Sequence, residues 1–223
     1  MNLDEVPTVI DVHPPHEPIH GWRDFFLHLT TITIGLLIAL SLEGCVEWQH
    51  HRHLVHEAEA SLHKEIQSNE SGLAGVIADV QNQQSILKQD VVVLDQMIKD
   101  PEAKTHQHMS VNFHIVGFDS VSWKTAQTTG ALSYMPYDRA QEYAALYSLQ
   151  DDFDVAQKQA VRDAIVSIGP FLNEDVTDPV AAAKQYQSIK ERLEVLQGQL
   201  VLVDSLVTGL DAEYKKFLTA HPD

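Results

Sequence analysis

The residues best suited to chemistry stand in the run from Trp48 to Glu65, WQHHRHLVHEAEASLHKE, with Glu47 just before it. On a helix Glu47 and His50 lie three apart, His53 and His56 three, His53 and Glu57 four, and Glu59 and His63 four. At those spacings two side chains on one helix face can share a metal ion. Zinc takes three or four protein ligands, so Glu47, His50, His53, His56 and Glu57 would need a second chain or the N-terminal tail to complete a centre. A histidine cluster beside acids is also the material of a pH sensor. The third reading, a polar helical neck whose imidazoles and carboxylates are simply solvated, asks for nothing the sequence lacks.

No other stretch offers a reaction. There is no Gly-rich phosphate loop, nucleophile elbow or paired-cysteine motif. Cys45 is the single cysteine, so no intrachain disulfide can form, and it reads as a packing residue. The expectation is a chain that is not an enzyme and has no cofactor. A net charge of −17 argues against nucleic acid and against anionic lipid headgroups, both of which select Lys and Arg.

The element that must position the histidine run is the stretch before it, Trp22 to Trp48. No charged residue occurs between Phe25 and Leu42. As a helix those residues rise roughly 27 Å, close to the hydrocarbon thickness of a bilayer. A tryptophan stands at each end, where amphipathic rings prefer the headgroup layer. The stretch reads as a transmembrane helix, and the first partner is therefore the lipid bilayer. The acidic sequence ahead of it and the length of the apolar run argue against a signal peptide. Leu42-Glu43-Gly44-Cys45 resembles a lipoprotein box, but Glu43 occupies the place of a small residue. His28, inside the span, reads as bonded to a neighbour or reaching for the interface, with haem ligation as the alternative.

Thr31, Gly35 and Ala39 recur every four residues and share one face of this helix. Small residues at that spacing let a second membrane helix approach closely, which points to association with itself or with another membrane protein. The positive charges, Arg23 on one side and Arg52 with Lys64 on the other, do not fix an orientation.

Ahead of the span, residues 1–21 hold four of the nine prolines together with His13, His16 and His20, and read as an extended, flexible tail. After it, residues 49–223 read as a helical bundle. Apolar residues recur at Leu62, Ile66, Leu73, Ile77, Val80, Leu87, Val91, Leu94 and Ile98, with Asn69 and Gln84 at polar seam positions. Ser71-Gly72 and Gly75 are the places where this first helix could break. SVNFHIVGF, ending at Phe118, looks extended. A short helix spans Trp123 to Thr129 and closes at Gly130. One long helix follows Pro136, with Tyr143, Leu146, Phe153, Ala160, Ala164 and Ile168 on one stripe. Another follows Asp178-Pro179, with an unbroken seam from Tyr186 to Phe217.

Together these patterns predict an all-α fold, a transmembrane helix continuing into an antiparallel bundle of long helices. The bundle is expected to leave residues 49–60 as an exposed neck and to carry the short helix at its distal turn.

Two segments resemble a known group. Ile34-Gly35-Leu36-Leu37-Ile38-Ala39-Leu40, followed by Glu47 and a charged helix, is similar to the membrane motif of a group of uncharacterised bacterial single-pass proteins with a C-terminal helical domain. WKTAQTTGAL, Trp123 to Leu132, is similar to a short helix of the same group. Cys45, where the group often has tryptophan, and the histidine-rich run depart from its pattern. The resemblance implies no activity. It does imply a bacterial inner membrane, an N-terminus in the cytoplasm and a periplasmic C-terminal domain. The function expected is that of an interaction or scaffold protein, an accessory subunit of a membrane assembly. A sensor-like or metal- or haem-binding helical protein is the alternative.

Overall fold

The computed structural model describes residues 21–100, 116–169 and 178–222. Every regular element among them is an α-helix: α1 (Trp22–Lys99), α2 (Val121–Thr128), α3 (Ala131–Tyr134), α4 (Tyr137–Ile168) and α5 (Pro179–Ala220). The all-α expectation holds, with a long apolar helix at the start of the chain. The Pro/His-rich tail up to His20 and the piece 110–115 lie outside the described residues. The chain divides into two compact units, Met1–His51 and Arg52–Asp223.

α1 runs unbroken for 78 residues. Ser71, Gly72 and Gly75 do not interrupt it, although they lower its intrinsic propensity. Leu73 and Val76 are buried on either side of Gly75, so packing of one face holds the helix where propensity is weakest. It ends at Lys99, before Asp100-Pro101, because a proline ring disfavours the helical conformation of the residue ahead of it.

In the first unit the apolar side chains of α1 point outward on every side. Phe25, Leu29, Ile32, Leu36, Leu37 and Leu40 are all exposed. The hydroxyls of Thr31, Thr33 and Ser41 donate to the carbonyls of Leu27, Leu29 and Leu37, four residues back, at 2.9, 2.8 and 2.7 Å. Their polar atoms thus find partners without solvent. Among the described residues, two helices are long and apolar enough to cross a membrane. None of the most apolar window of α1 is buried, whereas 33% of that of α5 is.

The second unit is a bundle of three long helices, α4, α5 and the part of α1 from Arg52 onward. α5 opens as its sequence dictates: the Asp178 side chain accepts the Ala181 N–H at 3.0 Å and Pro179 fills the first position, where no donor is required. Its seam from Ile189 through Leu193, Leu196, Leu200, Val203, Val207, Leu210 and Tyr214 to Phe217 is buried throughout. Burying each large apolar side chain contributes about 1.5–3 kcal/mol, so this seam dominates the packing. Leu62, Ile66, Leu73, Leu87 and Leu94 face it from α1, and Tyr143, Tyr147, Phe153, Ala160 and Ala164 from α4.

Side-chain contacts give the directions. Lys190 meets Asp95, Gln84 donates to the Leu200 carbonyl, and His63 meets the His221 carbonyl, so α5 runs antiparallel to α1. Along α4, Arg139 pairs with Glu59, Tyr147 with Glu65 and Gln150 with Asn69, so α4 runs in the direction of α1. α5 is antiparallel to both. A return path makes the parallel pair possible: residues 116–120 are irregular and α2 lies beside Glu65. The short helix is therefore not at the turn that follows α1. Gly130, between α2 and α3, has φ +76°, a left-handed conformation that side chains with a Cβ rarely adopt.

The bundle also reaches further along α1 than an exposed neck over 49–60 allows. Leu54, Val55 and Ala58 pack against the core, and Arg139 reaches Glu59 at 3.7 Å. α5 has 42 residues, about 63 Å of helix, and this length carries its C-terminal end to His63.

Candidate functional site

The sequence-predicted metal residues fall on both units. Glu47 and His50 belong to the first, and His53, His56 and Glu57 to the second. In the first, Glu47 meets His51 at 3.9 Å, and the rings of His50 and His51 stand 6.1 Å apart. In the second, His53 and Glu57 come together at 3.1 Å, while His56 is exposed. Glu59 and His63, also four apart, are turned to other partners: Glu59 to Arg139, His63 Nε2 to the His221 carbonyl oxygen at 2.8 Å. Among the described residues no three His, Cys, Asp or Glu side chains gather as a metal-ion site. The described residues therefore supply pairs, of which His53 and Glu57 are the closest, short of the three or four ligands a zinc centre takes.

The small-residue face of Thr31, Gly35 and Ala39 is exposed along its length. A Cβ placed on Gly35 would meet nothing within 4 Å, so the notch is open to a partner. The Thr31 hydroxyl is already engaged with the Leu27 carbonyl.

The most elaborate polar arrangement was not signalled by any motif. Glu65, 8% exposed, sits in the core of the second unit. Its Oε2 accepts the Ser122 N–H at 2.7 Å, and its Oε1 accepts the Trp123 N–H at 3.4 Å and the Tyr147 hydroxyl at 2.6 Å. Ser120, the N-cap of α2, makes no side-chain capping bond, so a carboxyl group from α1 does that work instead. Trp123 stacks on Tyr147, with ring centroids 5.0 Å apart and planes 6° from parallel.

Two carboxamides hold the return path in a related way. Asn69 donates to the Asp119 carbonyl at 2.8 Å and accepts the Asp119 N–H at 3.0 Å. Gln157 donates to the Val116 carbonyl and accepts the Val116 N–H, both at 2.8 Å. A primary amide carries a donor and an acceptor side by side, so each clamps one residue as a neighbouring β-strand would. Gln150 joins the first clamp, donating to the Asp119 carbonyl at 3.2 Å and accepting from Asn69 and from the Tyr214 hydroxyl. Glu65, Asn69, Gln150 and Gln157 are thus all engaged in holding residues 116–123. Their arrangement positions backbone and leaves no nucleophile beside a free base.

Burial raises the phenols of this core. Tyr143 is pushed up to about 12, first by burial and then by Glu59 and Glu142, with Arg139 opposing. Tyr147 and Tyr214 are pushed up further, again chiefly by burial, and for Tyr147 also by its bond to Glu65. A phenol whose pKa is higher in the folded chain stabilises it fully below the unfolded value of 10 and progressively less above it. For Tyr143 the loss falls between pH 10 and about 12 and amounts to roughly 3 kcal/mol at its upper end. Unfolding midpoints should therefore stay level up to pH 9 and then fall. Tyr143→Phe should flatten part of that fall, and an unchanged alkaline slope in this variant would contradict the assignment.

Compared with known protein families, with curated proteins and with solved structures, the chain matches none.

Proposed function

We propose that this chain is a non-enzymatic, single-pass membrane protein whose anchor and bundle bind other proteins, as an accessory or scaffold subunit of a membrane assembly. The observation that carries the reading is the first unit of α1. Apolar side chains surround it on all sides, none of its most apolar window is buried, and Thr31, Thr33 and Ser41 spend their hydroxyls on the helix itself. Water does not tolerate a continuous apolar surface of that size, and a bilayer does. α5, the other helix apolar enough to span, commits its seam to the core of the second unit, which favours one crossing over two.

The open notch at Gly35 supports a protein partner within the membrane, either another membrane protein or a second copy. The resemblance of Ile34 to Leu40 to the bacterial single-pass group is what supports an inner-membrane location with Arg52–Asp223 in the periplasm. An enzymatic role is disfavoured because Glu65, Asn69, Gln150 and Gln157, the largest group of buried polar residues, are occupied in fixing backbone.

Gly35→Leu tests the notch. It should leave membrane insertion intact and weaken association, lowering the mass of the complex extracted in mild detergent. An unchanged oligomeric state both in detergent and in lipid would overturn this part of the proposal.

A further inference from the structure

The apolar seam of α1 lapses between Val80 and Leu87, where Gln83 and Gln84 take the inward-facing places. α4 places Gln157 at the same level of the bundle. Packing is incomplete there: a cleft of about 280 Å³ opens between the helices, with Val76, Val80, Ala160, Leu200 and Val203 as its apolar walls. Gln157 also borders it, but its amide is committed to Val116. The other polar groups stand at its open rim: Asp79 and Asn82, both exposed, and the half-buried Gln83, at i, i+3 and i+4 on one face of α1. Among the described residues these three side chains make no hydrogen bond or ion pair, and no lysine or arginine lines the cleft.

We infer that this cleft is a binding site for a small organic cation with a compact hydrocarbon body, such as a primary amine on a single ring. The ammonium group would sit against the Asp79 carboxylate with the Asn82 and Gln83 side-chain carbonyls as further acceptors, while the ring packs on Ala160, Leu200 and Val203. The volume admits about one ring and its substituent, since a cavity of 150 Å³ already holds benzene. The charge of −17 on the chain favours a cation over an anion. This inference does not depend on the membrane partner proposed above.

The test is calorimetry on the full chain in lipid nanodiscs with three probes of one shape: cyclohexylamine, cyclohexanol and cyclohexanecarboxylate. Cyclohexylamine should bind about three- to fivefold more tightly than cyclohexanol, as expected of an ion pair to an exposed carboxylate, and cyclohexanecarboxylate should bind more weakly than either. Asp79→Asn should abolish the preference for the amine. Ala160→Leu should exclude the probes by filling the floor, and Gln83→Phe should do so from the mouth without altering the core. Equal binding of all three probes, an amine preference that survives Asp79→Asn, or amine binding that survives Gln83→Phe would overturn the inference. Binding of none would do so as well, and would leave the cleft as a hydrated polar layer that fixes the register of the helices.

Discussion

Replacing Leu36 and Ile38 together by arginine is expected to release the protein from the membrane fraction. Eleven Phe, Leu and Ile residues lie between Phe25 and Leu42. At about −0.3 to −0.6 kcal/mol each, they favour insertion by roughly 3–7 kcal/mol. Two arginines near the middle of the span oppose it by about 5–7 kcal/mol and also remove the contribution of the residues they replace, so the sign of the balance reverses. Partition of the two proteins between an alkaline-washed membrane pellet and the supernatant measures this. Full retention of the double variant in the pellet would mean that α1 does not anchor the chain through this segment. Thr31→Val is a useful companion, since its hydroxyl serves only the Leu27 carbonyl and its loss should leave partition unchanged.

Within the second unit the largest single effect should come from Glu65→Ala. The substitution strands the Ser122 and Trp123 N–H groups and the Tyr147 hydroxyl, three donors in or beside the core. Leaving a buried donor without an acceptor costs about 1–3 kcal/mol, and the total here should reach roughly 3–5 kcal/mol after relaxation. Tyr147→Phe removes one donor and leaves the cap of α2 in place, so it should cost about 1–2 kcal/mol. The pair separates capping from the phenol bond. Hydrogen exchange at Ser122 and Trp123 should accelerate strongly in Glu65→Ala and little in Tyr147→Phe. Equal protection of those amides in both variants would show that Glu65 does not cap α2.

The legibility of the fold follows from what periodicity can encode. The seam of α5 is a strict alternation of three and four, and each predicted member from Ile189 to Phe217 is buried. Asp178 and Pro179 act locally, so their capping role was readable from two adjacent residues. Glu65 was hidden because a carboxylate beside Ile66 looks like the polar edge of an apolar stripe. Only its spacing, three after Leu62 and four before Asn69, hints that it faces inward. The direction of α4 was hidden for a different reason. It is set by Asn69 on Asp119 and Gln157 on Val116, carboxamide clamps between residues 50 and 41 positions apart, which leave no repeat in the sequence. The neck expectation failed at Leu54, Val55 and Ala58 because three apolar residues amid histidines and acids make too short a pattern to announce a packed face.

For the histidine run, spacing identified a pair and no more. His53 and Glu57 meet as a four-residue step on a helix requires. Glu47 meets His51 at the same step in preference to His50, and Glu59 and His63 turn to α4 and to the end of α5. Helical spacing decides which side chains are able to meet, while partners on other elements decide which of them do.

The most direct measurement of the central claim is extraction of the native membrane in mild detergent, followed by capture of the intact chain and identification of everything recovered with it by mass spectrometry. A stable complex larger than the single chain, containing a second copy or another membrane protein and diminished by Gly35→Leu, is the predicted result. Recovery of the chain alone, as a monomer, would contradict the proposal that it works by binding other proteins in the membrane.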